Sequence, residues 1–299
     1  MFLQDLAGHP NIVRLMDVIR AENDKDIYLV FDYMETDLHA VIRANILEEI
    51  HKQYIMYQIM KCLKYMHSAD LLHRDLKPSN ILLNSECLVE VADFGLARSV
   101  RARNRDSAPI LTEYVATRWY RAPEILLGST KYTKGVDMWS LGCILGEMYL
   151  AKPMFPGTST LNQIERVLEV TGRPTKEDIA SLQSPQAGAI IDSLKITKRK
   201  SLNDMFPLLS VEGLDLLKKL LHFNPNKRPT IEQALSHAYV SQFHDEEEEI
   251  VCKKIIEIPL DDHKYSIKDY RDQLYADIRK KHKEQRKEYL LRAMKAKQK

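Results

Sequence analysis

Residues 136–150, VDMWSLGCILGEMYL, are apolar on nearly every side, and no other stretch constrains the fold as strongly. A helix without a polar face cannot lie on a surface; other elements must wrap it. Gly142 and Gly146 inside it lower its helix propensity, so burial has to sustain it. The chain must therefore build a helical lobe around a central helix. Its 299 residues, 44% hydrophobic and 29% charged, suffice for one large core or two smaller ones.

Other patterns fill in the architecture. Residues 12–18 (IVRLMDV) and 26–33 (DIYLVFDY) are short, apolar and β-prone, and the polar turn RAENDK separates them. They predict a small antiparallel ribbon. Beyond ETD, Ile55, Ile59, Leu63 and Met66 recur at helical spacing and predict a long helix ending near His67. ILLN, the turn SEC and LVEVADF predict a second short hairpin. From Lys134 onward the pattern is mostly helical, with Leu214, Leu217 and Leu221 on one helix and Thr230 capping another. Residues 101–111, basic and patternless, predict a surface loop. The class is α+β, mainly helical.

A net charge of +2 offers no field for nucleic acid. No apolar run approaches the roughly 18 residues of a membrane span, and the opening MFLQDLAGHPN is not a signal peptide. Cys62, Cys87, Cys143 and Cys252 are scattered without a CxxC pair, which predicts free thiols in a reducing compartment. The last 21 residues, from Arg279, hold ten Lys/Arg against two Glu. That basic tail is expected to be helical and solvated.

The chemistry concentrates in LLHRDLKPSNILLN and, eight residues after its end, ADFGLAR. Pro78 stops a helix there. Asp75 can accept a proton from a hydroxyl, and Lys77 can neutralise a developing oxyanion. Asn80 and Asp93 supply hard oxygen ligands of the kind Mg²⁺ takes alongside phosphate oxygens. Gly95 is expected to let the strand end turn sharply. Each tripeptide alone would be an ordinary turn, but their order, interval and intervening strand signals remove the chance reading. A base, a cation and metal ligands together describe phosphoryl transfer to a hydroxyl.

Over residues 1 to about 243 the chain resembles the eukaryotic protein kinases: HRDLKPSN is similar to their catalytic loop, DFG to their metal-binding segment and APE at 122–124 to the end of their activation segment. The resemblance implies a two-lobed kinase-like fold with a mainly helical large lobe. It implies Asp75 as catalytic base, Lys77 on the transferred phosphate, Asn80 and Asp93 on Mg²⁺, and ATP as the donor. Asp137 in DMWSLG would brace the catalytic loop, and Arg228 would partner Glu124. Lys77 in the loop favours Ser/Thr over Tyr as acceptor. LTEYVATRWYRAPE resembles the lip of the mitogen-activated protein kinases of the extracellular-signal-regulated type, with FPGTSTLNQ and VFDYMETDL pointing to their atypical branch. That implies regulatory phosphorylation of Thr112 and Tyr114, read by Arg74, Arg98, Arg118 and Arg121, and selection of Ser/Thr-Pro protein substrates. It also implies a helical insertion, a gatekeeper at Phe31, a hinge presenting Met34 to adenine, and Asp37 near the ribose. HDEEEEI at 244–250 matches the family's docking site, with Asp245 and Glu248 as contacts for basic motifs of partners.

These expectations divide the chain into residues 1–34 (small-lobe remnant and hinge), 35–243 (large lobe) and 244–299 (a C-terminal extension). No GxGxxG occurs and Lys25 falls in a turn, so the Gly-rich loop, the strand lysine and the helix glutamate are expected before Met1. The truncated small lobe should bind ATP weakly and expose Ile12, Val13, Leu15, Leu29 and Phe31. Two functions follow: a proline-directed kinase, or a catalytically silent docking module. A monomer in the cytoplasm and nucleus completes the expectation.

Overall fold

The computed structural model describes residues 2–23, 26–100, 115–129, 133–196, 198–256 and 266–297. A short helix α1 (Phe2–Asp5) precedes an antiparallel ribbon of β1 (Leu15–Arg20) and β2 (Ile27–Phe31), with Leu15 opposite Phe31 and Arg20 opposite Ile27. The ribbon starts three residues later than IVRLMDV suggests, because the front of that stretch pairs elsewhere. Ile12 bridges Val91 in parallel, Val13 N donates to Val91 O (3.0 Å), and Val91 N donates to Asn11 O (2.9 Å). Asn11 Nδ2 adds bonds to Gln58 Oε1 (3.2 Å) and Val89 O (2.9 Å). Residues 11–13 thus bolt the ribbon to the larger part of the molecule.

β3 (Thr36–Asp37), α2 (Leu38–Ala44) and α3 (Glu49–Ser68) follow. Ile55, Ile59, Leu63 and Met66 are fully buried along α3, as their spacing predicts. Then come β4 (Leu71–Leu72), β5 (Ile81–Leu83), β6 (Val89–Val91) and β7 (Arg98–Ser99). β3, β5 and β6 form one antiparallel sheet in that order, and β4 pairs with β7. The sheet joins the end of the hinge, at β3, to the strands that carry the catalytic motifs.

α4 (Pro123–Leu126) leads to α5 (Gly135–Leu150), the mostly apolar stretch, which is buried from Val136 to Met148. Its glycines have a packing reason. A Cβ on Gly142 would sit 2.9 Å from Leu220 Cβ, and one on Gly146 would sit 2.6 Å from Met154 Sδ. The helix gives up propensity for close approach. α6 (Thr160–Thr171), α7 (Lys176–Ser181), α8 (Ala187–Ser193), α9 (Leu202–Met205), α10 (Val211–Leu220) and α11 (Ile231–Leu235) follow; α3 and α10 pack against α5, and α11 packs against α3. Thr230 caps α11 by accepting from Gln233 N, as expected. A second apolar cluster, separate from the main core, joins Leu126 and Leu127 to Ile164, Leu168, Leu182, Ile191 and Phe223. All four cysteines are free thiols, and among the described residues no helix is long and apolar enough to cross a membrane.

The C-terminal region departs from expectation. α12 (Ile267–Lys297) is helical through the basic tail, and Arg279 and Lys280 are exposed, yet the helix is not free of the fold. Ile278 is buried with Leu15 and Val18 of β1, with Leu274 and Tyr275 packed alongside, and His282 Nε2 lies 3.4 Å from Asp17 Oδ1. Part of the expected bare apolar face is therefore covered. Leu15 is buried under α12, and Ile12 and Val13 are buried by their pairing with β6, whereas Leu29 and Phe31 stay exposed. Burying a side chain such as Ile278 contributes roughly 2 kcal/mol of transfer free energy. That gain is why a helix with a strongly polar composition settles on the ribbon.

Candidate active site

The loop between β4 and β5 is held from below by one buried carboxylate. Asp137, in the first turn of α5, accepts from Arg74 N through Oδ1 (2.8 Å) and from His73 N through Oδ2 (3.0 Å). Burial alone would raise its pKa. The bond from His67 Nε2 (2.9 Å) and the Arg74 N–H outweigh burial and hold it below the usual carboxylate range. An ionised Asp137 makes His67 the donor in that pair. This grip matters because Arg74 sits at φ 68°, a left-handed conformation that costs a non-glycine residue on the order of 1–3 kcal/mol. Two consecutive N–H bonds to one carboxylate keep it there.

His73 carries the connection to the next motif. Its Nδ1 accepts from Asp75 N (3.3 Å), so Nε2 bears the proton and donates to Ala92 O (3.1 Å). Burial lowers its pKa, in keeping with this neutral tautomer. The His73 ring lies 5.0 Å from that of Phe94, tilted by 58°. HRD and DFG are thereby packed as one unit.

Asp75 is 6% exposed. Its Oδ2 accepts from Lys77 Nζ (2.7 Å) and, more weakly, from Asn80 Nδ2 (3.4 Å), which also donates to Asp75 O (2.9 Å). Asp75 Oδ1 is buried and has no hydrogen-bond partner among the described residues. One oxygen is fixed and the other keeps an unused acceptor that is covered in this state, so a hydroxyl proton can reach Oδ1 only when a bound substrate uncovers it.

Ala92 N donates to Asn80 O (2.9 Å), which ties the Asn80 segment to the one leading into Asp93. The sharp turn expected from Gly95 belongs to Asp93, at φ 62° and ψ 70°. Gly95 serves differently: a Cβ there would lie 3.2 Å from Asp93 Oδ1, and its N–H donates to that oxygen (3.4 Å). With Asn80 Nδ2 committed, its Oδ1 and the exposed Asp93 carboxylate remain as hard oxygen donors that suit Mg²⁺. Among the described residues no group of three or more His, Cys, Asp or Glu could hold a metal alone. A cation here would depend on ligands brought by its substrate, the usual situation for Mg²⁺.

The hinge runs from β2 to β3. Arg14 forks Asp32 through Nε (2.8 Å) and Nη2 (2.9 Å), which lowers the Asp32 pKa. Met34 follows, half-buried. Asp37 caps α2 through Oδ1 (3.0 Å from Ala40 N) and pairs with Leu82 of β5, so its carboxylate is already partly committed. Phe31, at the expected gatekeeper position, is exposed.

Beyond the loop, Arg228 grips Glu124 with two bonds of 2.8 Å, both side chains buried, as expected. The same guanidinium donates to Gly135 O (2.7 Å), His222 O (2.8 Å) and Phe223 O (3.1 Å). Tyr120 OH donates to Glu147 Oε2 (2.6 Å), and Ser140 Oγ to Tyr120 O (2.9 Å). Arg118 is 5% exposed; Nη1 reaches Thr158 O at 3.5 Å, and Nε has no partner among the described residues. Thr112, Tyr114 and the 101–111 loop lie outside the described residues.

The acidic run forms a turn against α3. Asp245 is exposed, and its carbonyl accepts from Glu248 N and Glu249 N (3.2 Å each). Glu248, 66% exposed at its side chain, lies 3.3 Å from Lys61 Nζ. Glu249 is buried and bonded to Lys64 (3.0 Å) and His244 (2.6 Å). The run thus divides into outward acids and one inward structural acid. His67 and His73 were not singled out from sequence; His73 stood inside the HRD motif, while His67 offered only its place at the end of α3.

Residues 1–240 match the protein kinase domain family. The chain is 64% identical over 290 residues to extracellular signal-regulated kinase 2 of Dictyostelium discoideum, covering 96% of this chain and 79% of that protein. It is 55% identical over 282 residues to mitogen-activated protein kinase 15 of Xenopus laevis, covering 93% of this chain and 48% of that protein. Identity to mitogen-activated protein kinase 15 of Caenorhabditis elegans is 50% over 287 residues, covering 94% and 61%. The chain belongs to the protein kinase family, and within it to the mitogen-activated type. It spans about half the length of the Xenopus relative.

Proposed function

We propose that this chain is the catalytic part of a proline-directed serine/threonine kinase that transfers the γ-phosphate of ATP to protein substrates. The observation that carries this reading is Asp75, with Oδ2 held by Lys77 and Asn80 and Oδ1 buried without a partner among the described residues. A Ser or Thr hydroxyl presented to Oδ1 gives up its proton to that oxygen as it attacks. Lys77 steadies the transferred group, Met34 offers backbone to adenine, and Asp37 lies toward the ribose. Mg²⁺ held by Asn80 and Asp93 would neutralise charge on the phosphates.

Phosphorylation of Thr112 and Tyr114 is the proposed switch. Each phosphate adds about −1.5 to −2 charge and seeks arginine. Arg118 supports this reading, because a buried guanidinium with a spare Nε is costly unless an anion completes it. Asp245 and Glu248 are proposed as contacts for basic linear motifs of partners, with the kinase acting as a monomer in the cytoplasm and nucleus.

The test is radiolabel transfer from ATP and Mg²⁺ to peptide pairs that differ only in having Pro or Ala after the acceptor. Residues 1–299 carry no Gly-rich loop or paired strand lysine, the parts that fix phosphates from above. The assay therefore compares the chain with a fusion supplying them ahead of Met1. The fusion should transfer faster and prefer Pro. Equal use of both peptides would rule out proline direction.

A further inference from the structure

The segment between α6 and α9 is tied to the 224–227 turn by one carboxylate. Asp178 lies in the first turn of α7 and is 7% exposed. Its Oδ2 accepts from Thr175 N (3.1 Å) and Thr175 Oγ1 (2.8 Å), which closes the start of the helix locally. Its Oδ1 turns outward from that segment and accepts from Asn224 Nδ2 (3.1 Å) and Lys227 Nζ (2.9 Å), on a turn 46 and 49 residues away. That turn is itself rigid. Asn224 Oδ1 accepts from Asn226 N (3.0 Å), and Asn224 N donates to His222 Nδ1 (3.0 Å). The next residue, Arg228, donates to the carbonyls of His222 and Phe223 and holds Glu124 at the end of the 115–124 segment. Ser184 Oγ donates to Leu127 O (2.6 Å), and the second apolar cluster unites Leu127, Leu182, Ile191 and Phe223 around the same clamp.

We propose that Asp178 is a positioning residue for substrate: by fastening the segment between α6 and α9 to the Asn224–Lys227 turn, it fixes Arg228 and Glu124 and hence the 118–124 segment, which under the kinase reading would shape the groove for the residue after the acceptor. This rests on the kinase reading above. The physical case is that Arg228 can orient Glu124 only as well as the turn that carries it is oriented, and an Asp178 held from both sides supplies that reference. Burial would raise the Asp178 pKa, but the bonds from Lys227, Thr175 and Asn224 hold it well below the usual range, so the clamp stays charged at neutral pH. Among the described residues Asp178, Asn224 and Lys227 make no hydrogen bond to the Asp75 loop, and the nearest link is Arg228 to Gly135 O, so the larger effect should fall on peptide and the smaller on nucleotide.

The experiment measures peptide and ATP affinity for the chain by fluorescence anisotropy and calorimetry. Hydrogen exchange over 121–128 is followed alongside. Asp178→Ala should weaken a Ser-Pro peptide about tenfold, since small misplacements of a binding segment carry costs of that order or greater. It should also speed exchange at 121–128 and change ATP affinity less than peptide affinity. Lys227→Met, at a side chain 43% exposed and thus safe for folding, should shift both readouts in the same direction. Asp178→Asn, which retains an acceptor for Asn224, should recover part of the peptide affinity. A purely structural role would lower Tm while leaving the peptide and ATP affinities of the folded fraction equal to wild type; that result overturns the proposal. So does wild-type behaviour in Lys227→Met. A wild-type chain that binds ATP but no Ser-Pro peptide would overturn the substrate reading and this inference together.

Discussion

Arg228→Met offers the sharpest test of how the end of the activation segment is held. The guanidinium facing Glu124 is lost, and Glu124, 2% exposed, becomes a buried charge without its partner. Stranding one member of a buried ion pair costs roughly 3–5 kcal/mol. The carbonyls of Gly135, His222 and Phe223 lose a donor as well, at up to about 1 kcal/mol each where water cannot replace it. A total of about 4 kcal/mol or more is expected, a large share of the 5–15 kcal/mol typical of folded proteins. Glu124→Gln is the control. There the guanidinium loses its counter-charge and one of its two bonds to residue 124, but keeps an amide oxygen and its three carbonyl acceptors, so the loss should be smaller than for Arg228→Met. Urea unfolding resolves the difference as two midpoints at similar slope. The reasoning fails if Arg228→Met lies within about 1 kcal/mol of wild type, or if Glu124→Gln proves the more damaging.

Other expectations follow from single contacts. Burial, and secondarily the Lys61 charge, lower the His9 pKa from 6.5 to about 4; the unfolded chain therefore binds the proton more readily, and stability falls as pH drops through that window. The loss should be roughly 2 kcal/mol between pH 7 and pH 5, and His9→Asn, which keeps an acceptor for Asn11 N, should flatten that part of the curve. Ile278→Asp should release α12 from the ribbon and speed hydrogen exchange along β1 without altering exchange in α5; unchanged β1 protection would show that the contact carries no weight. Converting Asp245 and Glu248 to Asn and Gln should weaken a Lys/Arg-rich peptide several-fold, and added salt should weaken the wild type, because exposed charges are screened within about 8 Å at physiological ionic strength. Glu249→Gln should instead lower stability, since Glu249 is buried against Lys64 and His244.

What the sequence revealed and what it withheld divide along the range of the interactions. The clustering of Asp75, Lys77 and Asn80 was legible because the three lie within six residues, and the structure joins their side chains. The central helix was legible because a helix apolar all round has only one stable environment. The Glu124–Arg228 pair, 104 residues apart, was reachable only through family resemblance. Gly95 is expected to let the strand end turn sharply because glycine turns cheaply, yet it is Asp93 that takes the left-handed conformation, next to a segment held by Asn80. The landing of α12 on β1 escaped because its buried residues are few among many charges, so its pattern reads as a solvated helix. Asp178 carries no signal in the sequence, because only the fold brings Asn224 and Lys227 to its second oxygen.

The central claim is that Asp75 accepts the substrate proton, and one substitution addresses it directly. Asp75→Asn keeps shape and can still engage Lys77 and Asn80 through its oxygen, but it removes the base. In the fusion that carries a Gly-rich loop and strand lysine, transfer of labelled phosphate to a Ser-Pro peptide should fall by about 10²–10⁴-fold, with Tm and ATP affinity unchanged. Turnover within a few-fold of wild type, at an unshifted Tm, would contradict the account.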